Sequence, residues 1–360
     1  MSTVSLCMIV KNEELVLARC LDSVKDLVEE IVIVDTGSDD RTKEIALGYT
    51  NRVFDFAWRD DFAAARNYSL EQATMEYILW LDADDVITLQ NRKAFLQLKE
   101  QLRGGPDLVM MKYHTAFDSQ GRPTFTYYRE RLFKRCMGYR FVGAVHEVVV
   151  PSGEVVYSDV AVTHQKLGPS DPDRNLRIFE KLLAKGEKLD ARQQFYYAWE
   201  LYYHGRYEEA ARELETFLQS GQGWVENEIE ACQQLYQCYL ALEQPEQALS
   251  ALFLSFAFDA PRAEICCLLG GHFMERQKLK QAIFWYQLAA RRPMEENTGG
   301  FVQPDCYGWI PNLQLCVCFD RLGDHQKAME YNEKAAALKP DDPAVLYNRR
   351  YFEQLFAKAE

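Results

Sequence analysis

The sequence predicts two domains of different fold class, an α/β domain with a mostly parallel sheet and then an all-α array of helical repeats. Short apolar runs alternate with helical patterns over about the first 165 residues, which is the order expected of parallel strands joined by crossover helices. The stretch Gly168 to Pro172 then breaks the chain, and helical periodicity continues from about Asn175 to the end. We therefore place the first domain at residues 1–168 and the second at residues 169–360.

Composition and charge limit the classes of protein to consider. The 360 residues are enough for two domains that each bury a core. A net charge of −13 argues against a nucleic-acid binder, whose affinity comes from neutralising phosphates. The ten cysteines lie in apolar contexts with no C-x-x-C pair and no signal peptide before them, so we expect reduced core residues of a cytoplasmic protein. No run of about 18 apolar residues occurs, so no transmembrane segment is expected.

Strands and helices alternate through the first domain. Asn12 is predicted to cap the first helix, and the Gly-containing turn Asp35 to Asp40 separates the second strand from the second helix. The predicted strands are Val4–Val10, Glu30–Val34, Val53–Phe56 and Tyr77–Leu81, and the predicted helices between them are Glu13–Val24, Thr42–Leu47 and Phe62–Gln72.

The fourth predicted strand runs directly into three carboxylates, Asp82, Asp84 and Asp85. In open α/β sheets, ligands bind at the carboxyl ends of the strands. Asp82 and Asp84 are two residues apart, so on an extended strand end they project to the same side and can share one hard cation or one polyol. The alternative is an acidic loop in which Asp85 caps the next helix.

Four motifs in the first domain together resemble a known family. They are CMIVKNEE (Cys7 to Glu14), IVIVDTGSDDRT (Ile31 to Thr42), DDFAAARNYSLEQA (Asp60 to Ala73) and ILWLDADD (Ile78 to Asp85). In this order they resemble the nucleotide-binding half of the family 2 glycosyltransferases, which have the Rossmann-like GT-A fold. A Rossmann dehydrogenase is the competing doubly wound interpretation, but no G-x-G-x-x-G follows the first strand.

The resemblance implies a nucleotide-diphospho-sugar donor, usually a UDP-sugar, and a divalent cation, Mn²⁺ or Mg²⁺, that bridges the diphosphate oxygens. By this resemblance, Asp84 holds the cation, Asp82 bonds the ribose or a metal-bound water, and Asp35 cradles the base. Many relatives carry a second acidic residue where this chain has Thr36. Arg66 faces the base or the phosphates, or is a salt-bridged helix residue. The implied donor-binding residues are Val10, Asp35, Thr36, Arg66, Asp82, Ala83 and Asp84.

After Asp107 the pattern changes to antiparallel-looking strands, Leu108–Phe117 and Phe125–Phe133, joined by a turn at residues 118–121. In the family fold these strands build the acceptor side. An inverting transfer needs a base that takes the acceptor's proton. Relatives place a carboxylate for this task after a glycine-containing loop, and Glu147 is the matching residue, with the adjacent His146 as the alternative base.

His164 follows the apolar run Val160 to Thr163 and matches the last metal-ligand position of many GT-A enzymes. An imidazole nitrogen suits Mn²⁺ better than Mg²⁺. The predicted metal set is therefore Asp84, His164 and Asp82. The alternative is that His164 is an ordinary surface histidine.

The second domain contains repeated helical units. Ala210, Ala248, Ala282 and Ala328 occupy equivalent positions at spacings of 38, 34 and 46 residues, which bracket the period of about 34 residues of tetratricopeptides. The last unit, RLGDHQKAMEYNEKAAALKPDD, most resembles the tetratricopeptide consensus. Residues 292–305 are interpreted as an inserted loop. Seven tyrosines either line a concave peptide groove or pack between helices, namely Tyr196, Tyr197, Tyr202, Tyr203, Tyr207, Tyr236 and Tyr239.

The combination resembles bacteriocin peptide S-glycosyltransferases and related bacterial protein-modifying enzymes. It implies a metal-dependent inverting glycosyltransferase that moves a sugar from a UDP-sugar to a peptide or protein recruited by the repeats. Two alternatives are a catalytically silent scaffold that uses the repeats for protein interaction, and a transferase with a carbohydrate or lipid-linked acceptor whose repeats form a homo-oligomer.

Overall fold

The computed structural model of the chain describes residues 2–102, 104–117, 121–167, 171–294, 300 and 302–357. It contains two compact units, Met1–Gln193 and Gln194–Glu360. The predicted domain boundary between residues 168 and 169 lies outside the described residues and stays a prediction. The same holds for most of the predicted turn at residues 118–121 and for part of the predicted loop at residues 292–305.

The first unit is built on a sheet of eight strands in the order β3-β2-β1-β4-β7-β6-β10-β5 within the described part of the chain. β2 and β4 pair in parallel with β1, whereas β7 runs antiparallel between β4 and β6. The strands are β1 (Val4–Val10), β2 (Glu30–Asp35), β3 (Val53–Asp55), β4 (Tyr77–Trp80), β5 (Asp85–Val86), β6 (Leu108–Phe117), β7 (Pro123–Lys134), β8 (Phe141–Val142), β9 (Val148–Val149) and β10 (Val155–His164).

The sequence-predicted α/β class with a mostly parallel sheet is confirmed for this unit. The central strands β1 and β4 are apolar and buried throughout most of their length, as expected of parallel strands covered on both faces. β8 and β9 form a separate two-stranded sheet beside the candidate site. The helices of this unit are α1 (Leu17–Val24), α2 (Thr42–Leu47), α3 (Phe62–Gln72), α4 (Leu89–Gln101) and α5 (Arg174–Ala184).

The predicted start of the first helix is wrong by four residues. Asn12 has a left-handed backbone (φ 56°), and its side-chain oxygen accepts a hydrogen bond from the Asp39 backbone N–H at 3.0 Å. α1 therefore begins only at Leu17. The physical reason is that the Asn12 side chain bonds across to the loop after β2 instead of capping its own helix.

The alternative role of Asp85 as a helix cap is also wrong. Asp85 begins the short strand β5, in which it lies opposite His164 of β10. The following helix α4 is capped by Thr88, whose hydroxyl accepts from the Asn91 backbone N–H. The three carboxylates therefore span a strand end, a turn and the start of another strand, not a solvated acidic loop.

The second unit consists of helix hairpins, as the repeat pattern predicts. Ala210, Ala248, Ala282 and Ala328 all lie in the second helix of a pair and are fully buried, so the paired helices approach closely at these points. The helices are α6 (Ala191–Tyr203), α7 (Tyr207–Ser220), α8 (Val225–Ala241), α9 (Pro245–Leu254), α10 (Ala263–Glu275), α11 (Leu279–Arg291), α12 (Trp309–Arg321), α13 (His325–Leu338) and α14 (Pro343–Ala357).

Burial divides the residues whose role the sequence left open. Tyr197 and Tyr236 are buried packing residues, whereas Tyr203 is 65% exposed. All ten cysteines are free, and most are buried, but Cys136 is exposed, contrary to the prediction of a core position. No helix in the described ranges is both long and apolar enough to cross a membrane.

Candidate active site

The candidate site lies at the carboxyl ends of β1, β2 and β4, where sequence reasoning placed it. β1 ends at Val10 directly opposite Asp35, the last residue of β2. β4 ends at Trp80, and the D-x-D motif follows two residues later. Parallel strands bring these ends to one edge of the sheet, so residues far apart in sequence meet there.

The two carboxylate oxygens of Asp35 differ in their hydrogen bonding. Its Oδ1 accepts hydrogen bonds from the backbone N–H groups of Gly37 and Ser38, both at 2.9 Å, which fix the turn after β2. Its Oδ2 is buried and has no hydrogen-bond partner among the described residues. A buried carboxylate oxygen without a partner is costly, so Asp35 fits a position that receives a donor from a bound ligand.

Thr36 and Val10 mainly hold the strand ends together. The Thr36 backbone N–H and hydroxyl both donate to the Val10 carbonyl, at 2.9 and 3.1 Å. The hydroxyl proton of Thr36 is therefore already used. Val10 and Thr36 are both buried, so their contribution to a ligand site is limited to the shape of its wall.

Arg66 joins two of the predicted site residues. It lies on α3 and is 7% exposed. Its Nη2 lies 2.6 Å from Asp82 Oδ1, and its Nε lies 2.5 Å from Glu147 Oε1. Burial alone would raise the pKa of Asp82, but the guanidinium groups of Arg66 and Arg131 outweigh it and hold this pKa below its usual range.

Three arginines surround the indole of Trp80, the last residue of β4. The guanidinium carbons of Arg66, Arg129 and Arg131 lie 4.7, 4.9 and 3.9 Å from the centre of the Trp80 ring. Arg129 and Arg131 both lie on β7, whose pairing with β6 is irregular between Glu130 and Leu132. Cation–π contacts in a buried setting hold these side chains in place beside the D-x-D motif.

Asp84, Asp85 and His164 form the group of side chains best placed to hold a cation. They each offer a ligand atom, and these atoms lie within 4.8 Å of one another. His164 Nδ1 is 3.4 Å from Asp84 Oδ1 and 3.8 Å from Asp85 Oδ1. Asp82 is not part of this group, because its carboxylate is paired with Arg66. Oxygen and imidazole donors together fit Mn²⁺, and oxygen donors fit Mg²⁺.

The proton on His164 is held strongly without a cation. Hydrogen bonds to Asp84 and Asp85 raise the pKa of His164 to about 10, against the partial burial that lowers it. A metal ion that binds this imidazole has to displace one of the two ring protons of the charged form, as metal ligation by histidine requires. The two carboxylates that favour the proton also favour a divalent cation.

Asp85 lies deeper than its neighbours. The side chains of Asp85 and Arg131 are both fully buried, and Arg131 Nη1 lies 3.0 Å from Asp85 Oδ2. The Tyr113 hydroxyl donates to Asp85 Oδ1 at 2.9 Å and lies 3.0 Å from His164 Nδ1. Burial and the charge of Asp85 raise the pKa of Tyr113, so its hydroxyl keeps its proton. The Asp85 Oδ2 also accepts from the Asp82 backbone N–H at 2.9 Å.

The loop that carries the two candidate bases is fixed by its backbone. His146 has a left-handed backbone (φ 52°), and its carbonyl accepts from Arg192 Nε at 3.2 Å. The adjacent Glu147 points to Arg66, so the two candidate bases have different surroundings. A positive φ at a non-glycine residue marks a backbone that the surrounding structure holds in place.

Glu13 also neighbours the site. It lies in the motif CMIVKNEE but is not among the residues that the sequence predicts for the site. Burial, together with the nearby charges of Asp84, Asp82 and Asp40, raises the pKa of Glu13 to about 7 against the opposing charge of Lys166. Its backbone N–H donates to the Thr42 hydroxyl at 2.6 Å. Glu13 thus adds another acidic group to the edge where a cation is expected.

Tyr113 and Arg131 were also missed. Both lie inside long strands of the predicted acceptor side, where a tyrosine is an ordinary strand residue. The detectable signal was the run Arg129-Glu130-Arg131, which places charged side chains inside an otherwise apolar strand. Buried charges need partners, so such a run indicates a buried ion-pair network.

Comparisons with known proteins relate the first part of the chain to one family. Residues 5–149 match the family described as Glycosyl transferase family 2. A TPR repeat-containing protein of Synechococcus elongatus is 40% identical over 149 residues, which cover 41% of this chain and 36% of that protein. The SPbeta prophage-derived glycosyltransferase SunS of Bacillus subtilis is 28% identical over 229 residues, covering 58% of this chain and 51% of SunS.

A third relative is the lipopolysaccharide core biosynthesis glycosyltransferase LpsC of Rhizobium meliloti, 30% identical over 161 residues that cover 40% of this chain and 56% of LpsC. The matches thus span between about a third and just over half of the length of these relatives. The matched region contains the strand ends, the D-x-D motif and Glu147. Residues 5–149 of the chain therefore match glycosyl transferase family 2, and an array of tetratricopeptide-like helix hairpins follows them.

Proposed function

We propose that the chain is a metal-dependent inverting glycosyltransferase that transfers a sugar from a UDP-sugar to a peptide or protein side chain. The observation that carries the proposal is that Arg66 joins Asp82 to Glu147 within the family-matched residues 5–149, and that the Asp84 and His164 pair lies beside them. A nucleotide-binding carboxylate, a cation site and a candidate base then occupy one strand-end crevice.

The donor's base is assigned to Asp35. Its buried Oδ2 lacks a partner among the described residues, and a nucleobase N–H directed at this atom would satisfy it. Asp82 stays available to the ribose through the oxygen that Arg66 does not contact. Ala83 lies between the two aspartates and is buried, so it contributes backbone rather than side-chain contacts to the donor.

Asp84 and His164 are the residues that would hold the cation. When bound, a divalent cation would neutralise the donor's diphosphate and make it a better leaving group. Asp84 is anchored because its carbonyl accepts from the Gln165 backbone N–H at 2.8 Å, which ties the D-x-D turn to the end of β10. The chain thereby holds Asp84 of this turn and His164 of β10 in one place.

Glu147 is assigned as the base that takes the acceptor's proton, and His146 is the alternative. Arg66 Nε orients the Glu147 carboxylate from one side, which leaves its second oxygen for the acceptor. The same arginine also contacts Asp82, so the position of the base is linked to the donor side of the crevice. This link to the D-x-D motif favours Glu147 as the base.

The acceptor is proposed to be a polypeptide that the helix hairpins recruit, because tetratricopeptide-like arrays commonly bind extended peptides. A carbohydrate acceptor is the second candidate, and the name of the relative LpsC, which refers to lipopolysaccharide core biosynthesis, favours it. A catalytically silent scaffold remains the alternative that a transfer assay decides.

The proposal is tested by calorimetry of UDP binding with and without Mn²⁺, followed by mass spectrometry of lysate treated with UDP-sugars. We expect Asp84→Asn to abolish the Mn²⁺-dependent part of UDP binding, because a neutral amide leaves the cation with one carboxylate fewer. Asp159→Asn is the matched control, since Asp159 is exposed and its carboxylate pairs with Lys112 at 2.7 Å, away from the D-x-D motif. Unchanged Mn²⁺-dependent UDP binding in Asp84→Asn would contradict the assignment of the cation to Asp84.

A further inference from the structure

Tyr113 lies behind the candidate cation site and contacts two of its members. It belongs to β6, which pairs with β10 so that Tyr113 stands opposite Val162, two residues before His164. Its hydroxyl is 2.9 Å from Asp85 Oδ1 and 3.0 Å from His164 Nδ1. The side chain is 6% exposed, so solvent does not supply a competing partner easily.

The single proton of the Tyr113 hydroxyl decides the direction of both contacts. Asp85 pairs with the buried guanidinium of Arg131 at 3.0 Å, and a carboxylate in this pair accepts hydrogen bonds only. The hydroxyl proton therefore goes to Asp85, and the hydroxyl oxygen must accept from His164. That makes Nδ1 the protonated nitrogen of the imidazole, whether the ring carries one proton or two.

Both carboxylate oxygens of Asp85 are already engaged by protein donors. Its Oδ1 accepts from Tyr113, and its Oδ2 accepts from Arg131 and from the Asp82 backbone N–H. Asp85 is fully buried, whereas the side chains of Asp84 and His164 are 19% and 29% exposed. Of these three side chains, Asp84 and His164 are thus partly accessible to solvent, whereas Asp85 lies beneath them and contacts Tyr113.

We propose that Tyr113 is a positioning residue that fixes His164 with Nε2 free to ligate a divalent cation, and that Asp85 acts through Tyr113 and not as a ligand. The inference rests on the cation site of the proposed function. Metal-ligating histidines generally donate their other ring N–H to a fixed acceptor, and loss of that acceptor weakens metal binding about 10- to 100-fold. Arg131 completes the support by holding Asp85 in the buried position.

The test is Mn²⁺ binding to the full chain without donor or acceptor, measured by electron paramagnetic resonance of the free ion. We expect Tyr113→Phe to weaken Mn²⁺ binding about 10- to 100-fold and Mg²⁺ binding less, because nitrogen ligation matters more for Mn²⁺. Tyr157→Phe is the matched control, since Tyr157 lies on β10 and is 47% exposed. Thermal unfolding of both variants shows whether the fold is kept.

A double variant separates a positioning role from a general loss of structure. If Tyr113 acts through His164, then Tyr113→Phe in a His164→Ala background should cause no further loss of Mn²⁺ affinity. Pulsed resonance of bound Mn²⁺ should show coupling to a ligating nitrogen in the wild type and in Tyr157→Phe, but not in His164→Ala. Additive losses in the double variant would overturn the inference, as would wild-type Mn²⁺ affinity in Tyr113→Phe.

These outcomes are distinguishable from failure of the proposed function. A wild-type chain that binds Mn²⁺ through nitrogen, loses it in Tyr113→Phe, and yet transfers no sugar supports the positioning role and contradicts the transferase. A chain that transfers sugar but shows no nitrogen ligation of Mn²⁺ supports the transferase and contradicts the role of Tyr113.

Discussion

Arg66 occupies the position where two tasks of the candidate site meet. It is buried, it contacts carboxylates from the D-x-D turn and from the Glu147 loop, and its guanidinium is stacked near Trp80 and Phe141. The planar guanidinium can satisfy both carboxylates at once, which a lysine ammonium cannot do with the same geometry. Removing either carboxylate would leave a buried charge with one partner fewer.

The assignment of the base is tested by Glu147→Gln. The amide is nearly isosteric and its oxygen can still accept from Arg66 Nε, so the fold and the affinity for UDP should be kept. Sugar transfer should fall about 10²- to 10⁴-fold, because the amide cannot take a proton. The loss should appear in the rate and not in donor binding, which calorimetry with UDP measures in parallel.

His146→Asn is the matched comparison for this variant. Asparagine tolerates the left-handed backbone of residue 146, so the loop should keep its shape. Transfer that is lost in His146→Asn and kept in Glu147→Gln would make the histidine the base. A cysteine acceptor should show a smaller loss in Glu147→Gln than a hydroxyl acceptor, since a thiol of pKa about 8.5 is partly ionised at neutral pH.

At the scale of elements, the accuracy of the sequence predictions follows from how local their causes are. α3 has the predicted bounds because Asp61 caps it within four residues, accepting from the Ala64 backbone N–H at 2.8 Å. α1 was predicted too long because the Asn12 side chain bonds to Asp39, 27 residues away. The local sequence pattern around Asn12 does not show that its side chain bonds to a distant loop instead of capping the helix.

The same distinction applies to the candidate site. Asp84 was predictable because strand-end carboxylates follow directly from an apolar run. The contact of Tyr113 with Asp85 spans 28 residues, and it depends on the position of β6 in the sheet, between β7 and β10. Sequence periodicity places Tyr113 on a strand, but the order of the strands decides which residues it meets.

α8 carries a carboxylate whose surroundings make the helical array sensitive to pH. Burial, together with the charges of Glu264 and Glu226, raises the pKa of Glu230 to about 7. Glu226 is paired with Arg262 at 2.9 Å, and Glu230 accepts from Gln233 Nε2 at 2.7 Å. Among the described residues, no Lys, Arg or His forms an ion pair with Glu230, and the Tyr203 hydroxyl lies close enough to feel its charge.

We expect Glu230→Gln to stabilise the array at pH 8 but not at pH 4. The folded state keeps the Glu230 proton up to about pH 7, whereas the unfolded chain loses it near pH 4.5. The folded state therefore binds more protons in this window, and the free energy of unfolding of the wild type falls as pH rises through it. The amide removes this dependence. Urea unfolding from pH 4 to pH 8 measures the effect.

Glu333→Gln is the control with the opposite sign. A hydrogen bond from Arg349 lowers the pKa of Glu333, so this carboxylate stabilises the folded state above its unfolded pKa. Replacing it should slightly destabilise the array at pH 8, by little because the pair is exposed. A Glu230→Gln variant that follows the same course as Glu333→Gln would contradict the burial argument.

At the scale of the whole molecule, the segment between the predicted boundary and the second compact unit belongs with the first unit. It contains α5, in which Phe179 is fully buried. Lys181 Nζ lies 2.7 Å from Asp60 Oδ2, and the Arg174 guanidinium lies 4.6 Å from the centre of the Phe62 ring. Asp60 and Phe62 stand at the start of α3, the helix that carries Arg66, so this segment supports the site from outside the family-matched residues.

A chain ending at Gln193 should therefore fold and bind UDP with Mn²⁺, whereas a chain ending at Lys166 should be less stable. The shorter chain loses α5 and its contacts with the start of α3, and burial of one large apolar side chain alone is worth about 1.5–3 kcal/mol. That loss is a large fraction of the net stability of about 5–15 kcal/mol of a typical domain. Urea unfolding of the two chains compares their stabilities, and calorimetry compares their affinity for UDP. Equal stability would show that residues 167–193 are a linker and would support a domain boundary at residues 168 and 169.

If the chain ending at Gln193 binds UDP but transfers no sugar to the acceptor that the full chain uses, the helical array is required for acceptor recruitment. Transfer at the rate of the full chain would instead assign the acceptor site to the first unit.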